Sequence, residues 1–401
     1  MKKDQPEFKR YKKGLALSGG GFRATLYALG SLIRMNEDGL LTELDTITAV
    51  SGGAIAAGYL MLKWQELKFE PLDEIGLRKK AVNFHEIVTE PLMKFCHQSI
   101  TNRGKIFLHT LTPWKTPVEE VRKKYEDLLF GKVKLKDVPD LNQPPQFVFY
   151  GTNLDTGASV RISKEYFRDY QLGRAANHDI TLAQAVSISS GFPPFLSPII
   201  LEGSQWLWED ELYQTLEPEV ISSLRDRIVL CDGGLYDNMG LEMLWKHGKN
   251  KEYEVVFSCD AGAPFSIPWS GPFKICYNWI GQFLRMSDVM IDQQRSLRKR
   301  MLVRNFIEGE YKGSYWSIEN KVNSASANEN KQYEHLKQLG TQLEGFGCNT
   351  NRLLVNVGFL HADDSLTRWY DRKLPKRGNP FLGIGINSEE EQDAFESPIS
   401  S

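Results

Sequence analysis

Short apolar runs ending in glycine alternate with stretches of helical spacing at the start of the chain. Residues 14–18 (Gly-Leu-Ala-Leu-Ser) form one such run, and the glycines that follow predict a buried strand leading into a turn. In residues 24–35, Leu26, Leu29, Leu32 and Ile33 recur at three- and four-residue intervals, on one side of a helix. Residues 46–50 are rich in β-formers and stop at Ser51-Gly52-Gly53, after which residues 54–62 are helical in pattern. Strand, helix, strand, helix predicts a parallel sheet. Further strands are predicted at 146–150, 228–231, 254–258 and 353–357, each short and rich in β-branched or aromatic residues. A helix is predicted at 280–301, where apolar residues mix with Arg295, Arg298, Lys299 and Arg300. The polar stretch 319–331 is predicted to be a loop, and no internal repeat is present.

Composition narrows the class. An apolar fraction of 41% over 401 residues supports a large core. Lys plus Arg number 49 against 51 Asp plus Glu, a balance that gives no electrostatic footprint for nucleic acid. The N-terminal residues are polar and charged, so no secretory signal is expected. The most apolar window elsewhere, 49–62, carries Gly52, Gly53 and Gly58 and falls short of the roughly 18 to 20 residues of a membrane span. Membrane contact is therefore expected to be peripheral. Five scattered cysteines include no Cys-x-x-Cys pair, and the chain has no His-Glu-x-x-His and no Asp-x-Asp-x-Asp-Gly loop. Neither disulfides, zinc nor calcium is indicated, no cofactor is expected, and a reducing, cytoplasmic location fits best.

Three short segments carry candidate chemistry. Ala49-Val50-Ser51-Gly52-Gly53 places a serine between a predicted strand and a predicted helix, the setting of a nucleophile elbow, in which a tight turn pushes Oγ outward. Ser51 as a simple helix N-cap is the competing reading. Gly19-Gly20-Gly21-Phe22-Arg23 occupies the preceding strand-to-helix junction, where backbone amides at a helix N-terminus favour a negative oxygen. With Ala24 it also fits the Gly-x-Gly-x-x-Ala dinucleotide fingerprint. That reading demands an acidic residue at the end of the second strand, where Ser51 stands instead. In Cys231-Asp232-Gly233-Gly234, Asp232 ends an apolar run, either on the ligand-binding rim of an α/β sheet or in an Asp-Gly turn. A Ser-His-Asp triad would need a histidine beyond the acid. His247 and His335 read as surface residues, and His361, after the predicted strand 353–357, stays open.

Taken together and in this order, the segments resemble the patatin-like phospholipase family, whose pattern is Gly-Gly-Gly-x-Arg/Lys, then Gly-x-Ser-x-Gly, then Asp-Gly-Gly/Ala. The stretches Gly151-Thr152-Asn153-Leu154-Asp155-Thr156-Gly157, Ser189-Ser190-Gly191-Phe192-Pro193-Pro194-Phe195 and Tyr236-Asp237-Asn238-Met239-Gly240 resemble it too, so the likeness covers residues 13–244. Ala49 departs from the first elbow glycine, and Ala24 stands where many members continue with glycine. The resemblance implies a three-layer α/β/α fold with a mostly parallel central sheet and a lipid acyl hydrolase of phospholipase A or lysophospholipase type. It further implies Ser51 as nucleophile and Asp232 as base. The amides of Gly19, Gly20 and Gly21 would form an oxyanion hole steadied by Arg23, with Gly53, Gly233 and Gly234 supporting the turns. It implies chemistry without a metal, on phospholipid or another acyl-ester lipid at a peripheral membrane surface. The expected organisation is a polar lead at 1–12, a catalytic domain at 13–370 (core motifs 13–244, extension 245–370) and a poorly ordered acidic tail at 371–401. The alternatives are a non-catalytic lipid-binding module on the same fold and a dinucleotide-binding protein using Gly19–Gly21.

Candidate contacts for the lipid are Phe192, Pro193, Pro194, Phe195 and Leu196, which could line an acyl channel or pack as a turn. Trp206 and Trp208, in the polar insertion 202–217, suit a lid or ordinary packing. Phe265, Trp269, Phe273 and Trp279 suit a bilayer contact or the core.

Overall fold

The computed structural model describes residues 12–73, 76, 78–100, 117–139, 145–194, 196–246, 251–265, 279–323, 327–340, 343–378 and 380. His247, Trp269, Phe273, Phe195, the Trp279 side chain, the lead before Lys12 and the tail beyond Pro380 lie outside the described residues.

The opening alternation is β1 (Lys12–Leu17), α1 (Gly21–Glu37), β2 (Thr46–Ala49) and α2 (Gly52–Lys63). A separate two-stranded ribbon, β3 (Phe69–Pro71) with β4 (Lys79–Ala81), precedes α3 (Glu90–His97) and α4 (Pro117–Tyr125). The chain continues through β5 (Gln146–Asn153), β6 (Ser159–Ser163), β7 (Phe167–Asp169), β8 (Gly173–Ala175), α5 (Leu182–Ser189), β9 (Ile199–Leu201), β10 (Trp208–Glu209) and α6 (Pro218–Asp226). After these come β11 (Ile228–Asp232), the single turn α7 (Gly234–Asp237), β12 (Tyr253–Asp260), α8 (Trp279–Ile307), β13 (Lys312–Ser317), α9 (Ala327–Leu336) and α10 (Cys348–Ser365).

Among the described residues eleven strands form the main sheet, in the order β10-β8-β7-β6-β5-β2-β1-β12-β13, with β11 also paired to β5 and β9 to β11. Its centre, β5-β2-β1-β12-β13, is parallel, and the sheet turns antiparallel from β5 outward. Side-chain alternation divides the layers. Leu15 and Leu17 of β1 and Val255, Phe257 and Cys259 of β12 join the large core beneath α1, α2 and α10. Ala16 and Val256 point the other way, into a smaller core with Met239, Leu241, Leu244 and Leu302 of α8. Three layers result, as the resemblance implied.

The helix α1 is buried along nearly its whole length because the sheet covers one side and α10 another. The two helices cross at glycines. A methyl on Gly30 would lie 1.9 Å from the Val355 carbonyl oxygen, and one on Gly358 would lie 2.1 Å from that of Tyr27. This close crossing corrects the strand expected at 353–357. Leu354, Val355 and Val357 are all buried in a helix enclosed on several sides, where the apolar run shows no helical period. The loop expected at 319–331 is also shorter than expected, because α9 begins at Ala327. The tail expected to be loose from 371 is docked at its start: Leu374 is buried, Arg34 donates to the Pro375 carbonyl at 2.9 Å, and Arg377 pairs with Asp38 at 3.0 Å. No helix among the described residues is long and apolar enough to cross a membrane.

Candidate active site

One strand brings Ser51 and Asp232 together. Along β5, Phe149 is level with Ala49 of β2, and Gly151, two residues on, is level with Asp232 of β11. The chain leaving β2 at Ala49 turns at Ser51, and β11, running antiparallel, delivers Asp232 to the same end. The Ser51 hydroxyl lies near enough to the Asp232 carboxylate to lower its pKa.

The turn at Ser51 is strained. With φ 51° and ψ −119°, Ser51 is the sole non-glycine among the described residues with positive φ, a conformation costing on the order of 1–3 kcal/mol. Its neighbours have no room for a side chain. A methyl on Gly52 would lie 1.9 Å from the Gly21 carbonyl oxygen, and one on Gly53 would lie 2.6 Å from that of Leu17. So α2 begins in backbone contact with the glycine loop, and the N-termini of α1 and α2 converge beside Ser51. Both helix dipoles favour a negative charge there. Ala49, where the family pattern has glycine, is fully buried in the large core.

The structure corrects one member of the glycine loop. The Gly19 N–H donates to the Asn238 carbonyl at 3.0 Å and is therefore occupied. Gly20 (φ 144°) and Gly21 (φ 59°) adopt conformations that favour glycine. Among the described residues their amides have no acceptor. Arg23 faces inward. Fully buried, it donates through Nε and Nη2 to the Ala261 carbonyl at 3.2 and 3.0 Å, and through Nη1 to that of Leu339. Burial lowers its pKa to about 10. It ties the base of the loop to the end of β12.

Asp232 is 2% exposed, and burial raises its carboxyl to about 7 against the opposing hydrogen bond from the Gly234 amide at 2.6 Å and the lowering influence of the Ser51 hydroxyl. Its backbone is held as firmly: its N–H donates to the Gly191 carbonyl at 3.0 Å, and its carbonyl accepts from Thr152 Oγ1 at 2.9 Å. A methyl on Gly233 would meet the Tyr150 carbonyl oxygen at 2.6 Å. Behind the loop, the buried Asp237 carboxylate accepts from the amides of Met239, Gly240 and Glu242 and faces Arg298 of α8 at 3.2 Å. Gln294 of the same helix donates to the Gly234 carbonyl at 2.9 Å. A second buried pair, Asp260 with Arg295, fastens α8 to the end of β12 at 2.9 Å.

His361, left open by the sequence, is on α10. It is 3% exposed, its Nδ1 is 2.9 Å from the Tyr27 hydroxyl, and burial lowers its pKa to about 4. Neither Ser51 nor Asp232 is among its partners. His335 is exposed on α9.

Sequence reasoning passed over two contributors. Ser189 Oγ accepts the Ser51 amide at 3.0 Å, so the turn 189–191 grips both Ser51 and Asp232. The resemblance had marked that stretch without giving it a task. Asn238 is the second, beside Gly19 and Gly234. Of the candidate lining residues, Pro193 and Leu196 are buried and Phe192 is half-buried. Trp206 is packed, with ring centroids 5.1 Å from Phe167 and 5.7 Å from Trp208, which is the packing reading. The exposed apolar groups of that insertion are Leu207, Leu212 and Tyr213.

The model of the patatin-like phospholipase family matches residues 15–245, more than half of the chain, a span that includes the glycine loop, Ser51 and Asp232. A curated relative is SPO1 of Saccharomyces cerevisiae, which carries the name of a meiotic phospholipase; it is 26% identical over 165 residues, 38% of this chain and 26% of the relative. Human GIVD cytosolic phospholipase A2 in complex with methyl gamma-linolenyl fluorophosphonate aligns with 90% of this chain and 58% of its own, at 14% identity and a TM-score of 0.48. VipD from Legionella pneumophila aligns with 88% of this chain and 67% of its own, at 14% identity and a TM-score of 0.31. The chain thus spans about a quarter of the yeast relative and just over half of the human enzyme. At TM-scores below 0.5, neither structural likeness bears on activity.

Proposed function

This chain belongs to the patatin-like phospholipase family, and on that premise we propose that it hydrolyses fatty-acyl ester lipids through a Ser51–Asp232 dyad. The observation that carries the reading is a strained serine that β5 brings to the same end of the sheet as a buried aspartate, whose pKa burial raises to about 7. An ordinary carboxylate, near pKa 4, is a weak base for a hydroxyl; desolvation makes this one stronger while leaving much of it ionised near neutrality.

In acylation, Ser51 Oγ attacks the ester carbonyl carbon and its proton passes to Asp232. The carbonyl oxygen gathers negative charge at the converging helix N-termini, facing the amides of Gly20 and Gly21. Collapse of the tetrahedral species breaks the ester C–O bond, and the departing alkoxide takes the proton from Asp232. In deacylation, a water molecule gives its proton to Asp232 and attacks the acyl-serine carbonyl. Ser51 then leaves as the alcohol, recovering that proton, and the fatty acid is released. The amide of Ser51, held by Ser189, and the backbone of Asp232, held by Gly191 and Thr152, fix the pair before substrate arrives. The substrate would be met at a peripheral membrane surface, with the chain in the cytoplasm.

The test is fatty-acid release from mixed phospholipid vesicles, and hydrolysis of a short-chain ester, with EDTA present, for wild type, Ser51→Ala and Asp232→Ala. Loss of both activities in both variants, with folding intact, supports the dyad. Activity persisting in folded Ser51→Ala overturns it, and an inactive wild type favours a lipid-binding module on the same fold.

A further inference from the structure

We propose that the Asn238 carboxamide is a catalytic group that donates a hydrogen bond from Nδ2 to the ester oxygen as it becomes negative. The assignment rests on the hydrolase reading above. Asn238 follows the Asp232 turn, and its side chain fills the gap between the two glycine loops. A methyl on Gly19 would lie 2.3 Å from Asn238 Oδ1 and 3.1 Å from Ser51 Cβ. One on Gly234 would lie 2.7 Å from the same Oδ1 and 2.9 Å from Asp232 Oδ1. The carboxamide is therefore a close neighbour of both Ser51 and Asp232.

Its hydrogen-bonding state points to a ligand. The residue is half-buried, and among the described residues its side chain has no hydrogen-bond partner. A carboxamide offers two donors and an acceptor oxygen, and here they are uncommitted to protein groups among the described residues and partly open to the solvent from which substrate arrives. With Oδ1 toward Gly19 and Gly234, Nδ2 is the donor assigned to the substrate oxygen.

The surrounding structure fixes this one turn rigidly. Asp237, next in the chain, spends its buried carboxylate on three amides of the same turn and on Arg298. The Asn238 carbonyl meanwhile takes the Gly19 amide, which removes one donor from the glycine loop. The side chain of the same residue replaces it. A donor held in place before the reaction needs no reorganisation as charge develops, and losing one typically costs about a hundredfold to a thousandfold in rate.

The experiment compares wild type, Ser51→Ala, Asn238→Ala and the isosteric Asn238→Asp on a short-chain p-nitrophenyl ester, with kcat read at the alkaline plateau. Melting temperature and the rate of covalent inactivation by a methyl alkyl fluorophosphonate are measured alongside. Expected are kcat and inactivation rate falling together by about a hundredfold in both Asn238 variants, with KM within threefold and melting temperature unchanged. A folded Asn238 variant that keeps kcat within threefold overturns the assignment. So does misfolding of both variants, which would make the carboxamide structural. If Ser51→Ala retains activity, the hydrolase reading itself fails, and that outcome is recognised without reference to Asn238.

Discussion

Replacing Asp232 with asparagine should abolish hydrolysis and, at alkaline pH, make the protein more stable. The Asp232 carboxyl is raised from 3.8 to about 7 by burial. At 1.36 kcal/mol per pKa unit, keeping it ionised in the folded state costs about 4 kcal/mol. The sign follows from proton binding. Between pH 4 and 7 the folded protein holds a proton that the unfolded chain has released, so this group's contribution is complete below pH 4 and is lost as pH rises through 7. Activity runs the opposite way, because only the ionised form accepts the Ser51 proton. The kcat/KM for a soluble ester should therefore climb about tenfold from pH 6 to a plateau above 8, with a midpoint near 7. Asparagine keeps an oxygen for the Gly234 amide and carries no charge to desolvate. Urea unfolding at pH 8 should show Asp232→Asn several kcal/mol more stable than wild type, with the gap closing toward pH 4. An activity midpoint below pH 5, or a variant no more stable than wild type at pH 8, would refute the reasoning.

Ser51→Gly should remove the hydroxyl and relieve the positive-φ strain, giving an inactive protein more stable by about 1 kcal/mol in thermal or urea unfolding. Gly52→Ala places a methyl on the Gly21 carbonyl, so it should lower the melting temperature markedly and reduce esterase activity at least about a hundredfold. Arg295→Met leaves the buried Asp260 carboxylate without its guanidinium and should cost about 3–5 kcal/mol in urea unfolding, whereas an apolar double replacement at both positions should cost much less.

The strand-end positions of Ser51 and Asp232 and the glycine loop were legible because each depends on a local turn that demands particular residues: glycine where a helix starts against a carbonyl, aspartate where a strand ends. The raised pKa of Asp232 was not, since it comes from burial by distant segments. Nor was the loss of the Gly19 amide, decided by a carbonyl far along the chain at Asn238. The apolar run at 353–357 misled for a related reason, because a helix enclosed on several sides carries no polar face to reveal its period. Trp206 and Trp208 lay in a polar stretch, yet Phe167 of β7, two strands along the sheet from β10, gives them a packing partner.

The crossing of α1 and α10 separates ancestry from architecture. The segment recognisable by descent ends at 245, but β1 has β12 as one of its two neighbours, and Gly30 meets Val355 backbone to backbone. Cut at 245, the sheet would gain a raw edge at β1, and the helix that begins at the glycine loop would lose its cover. The structural unit that covers α1 therefore runs past 245, at least to the end of α10 at Ser365.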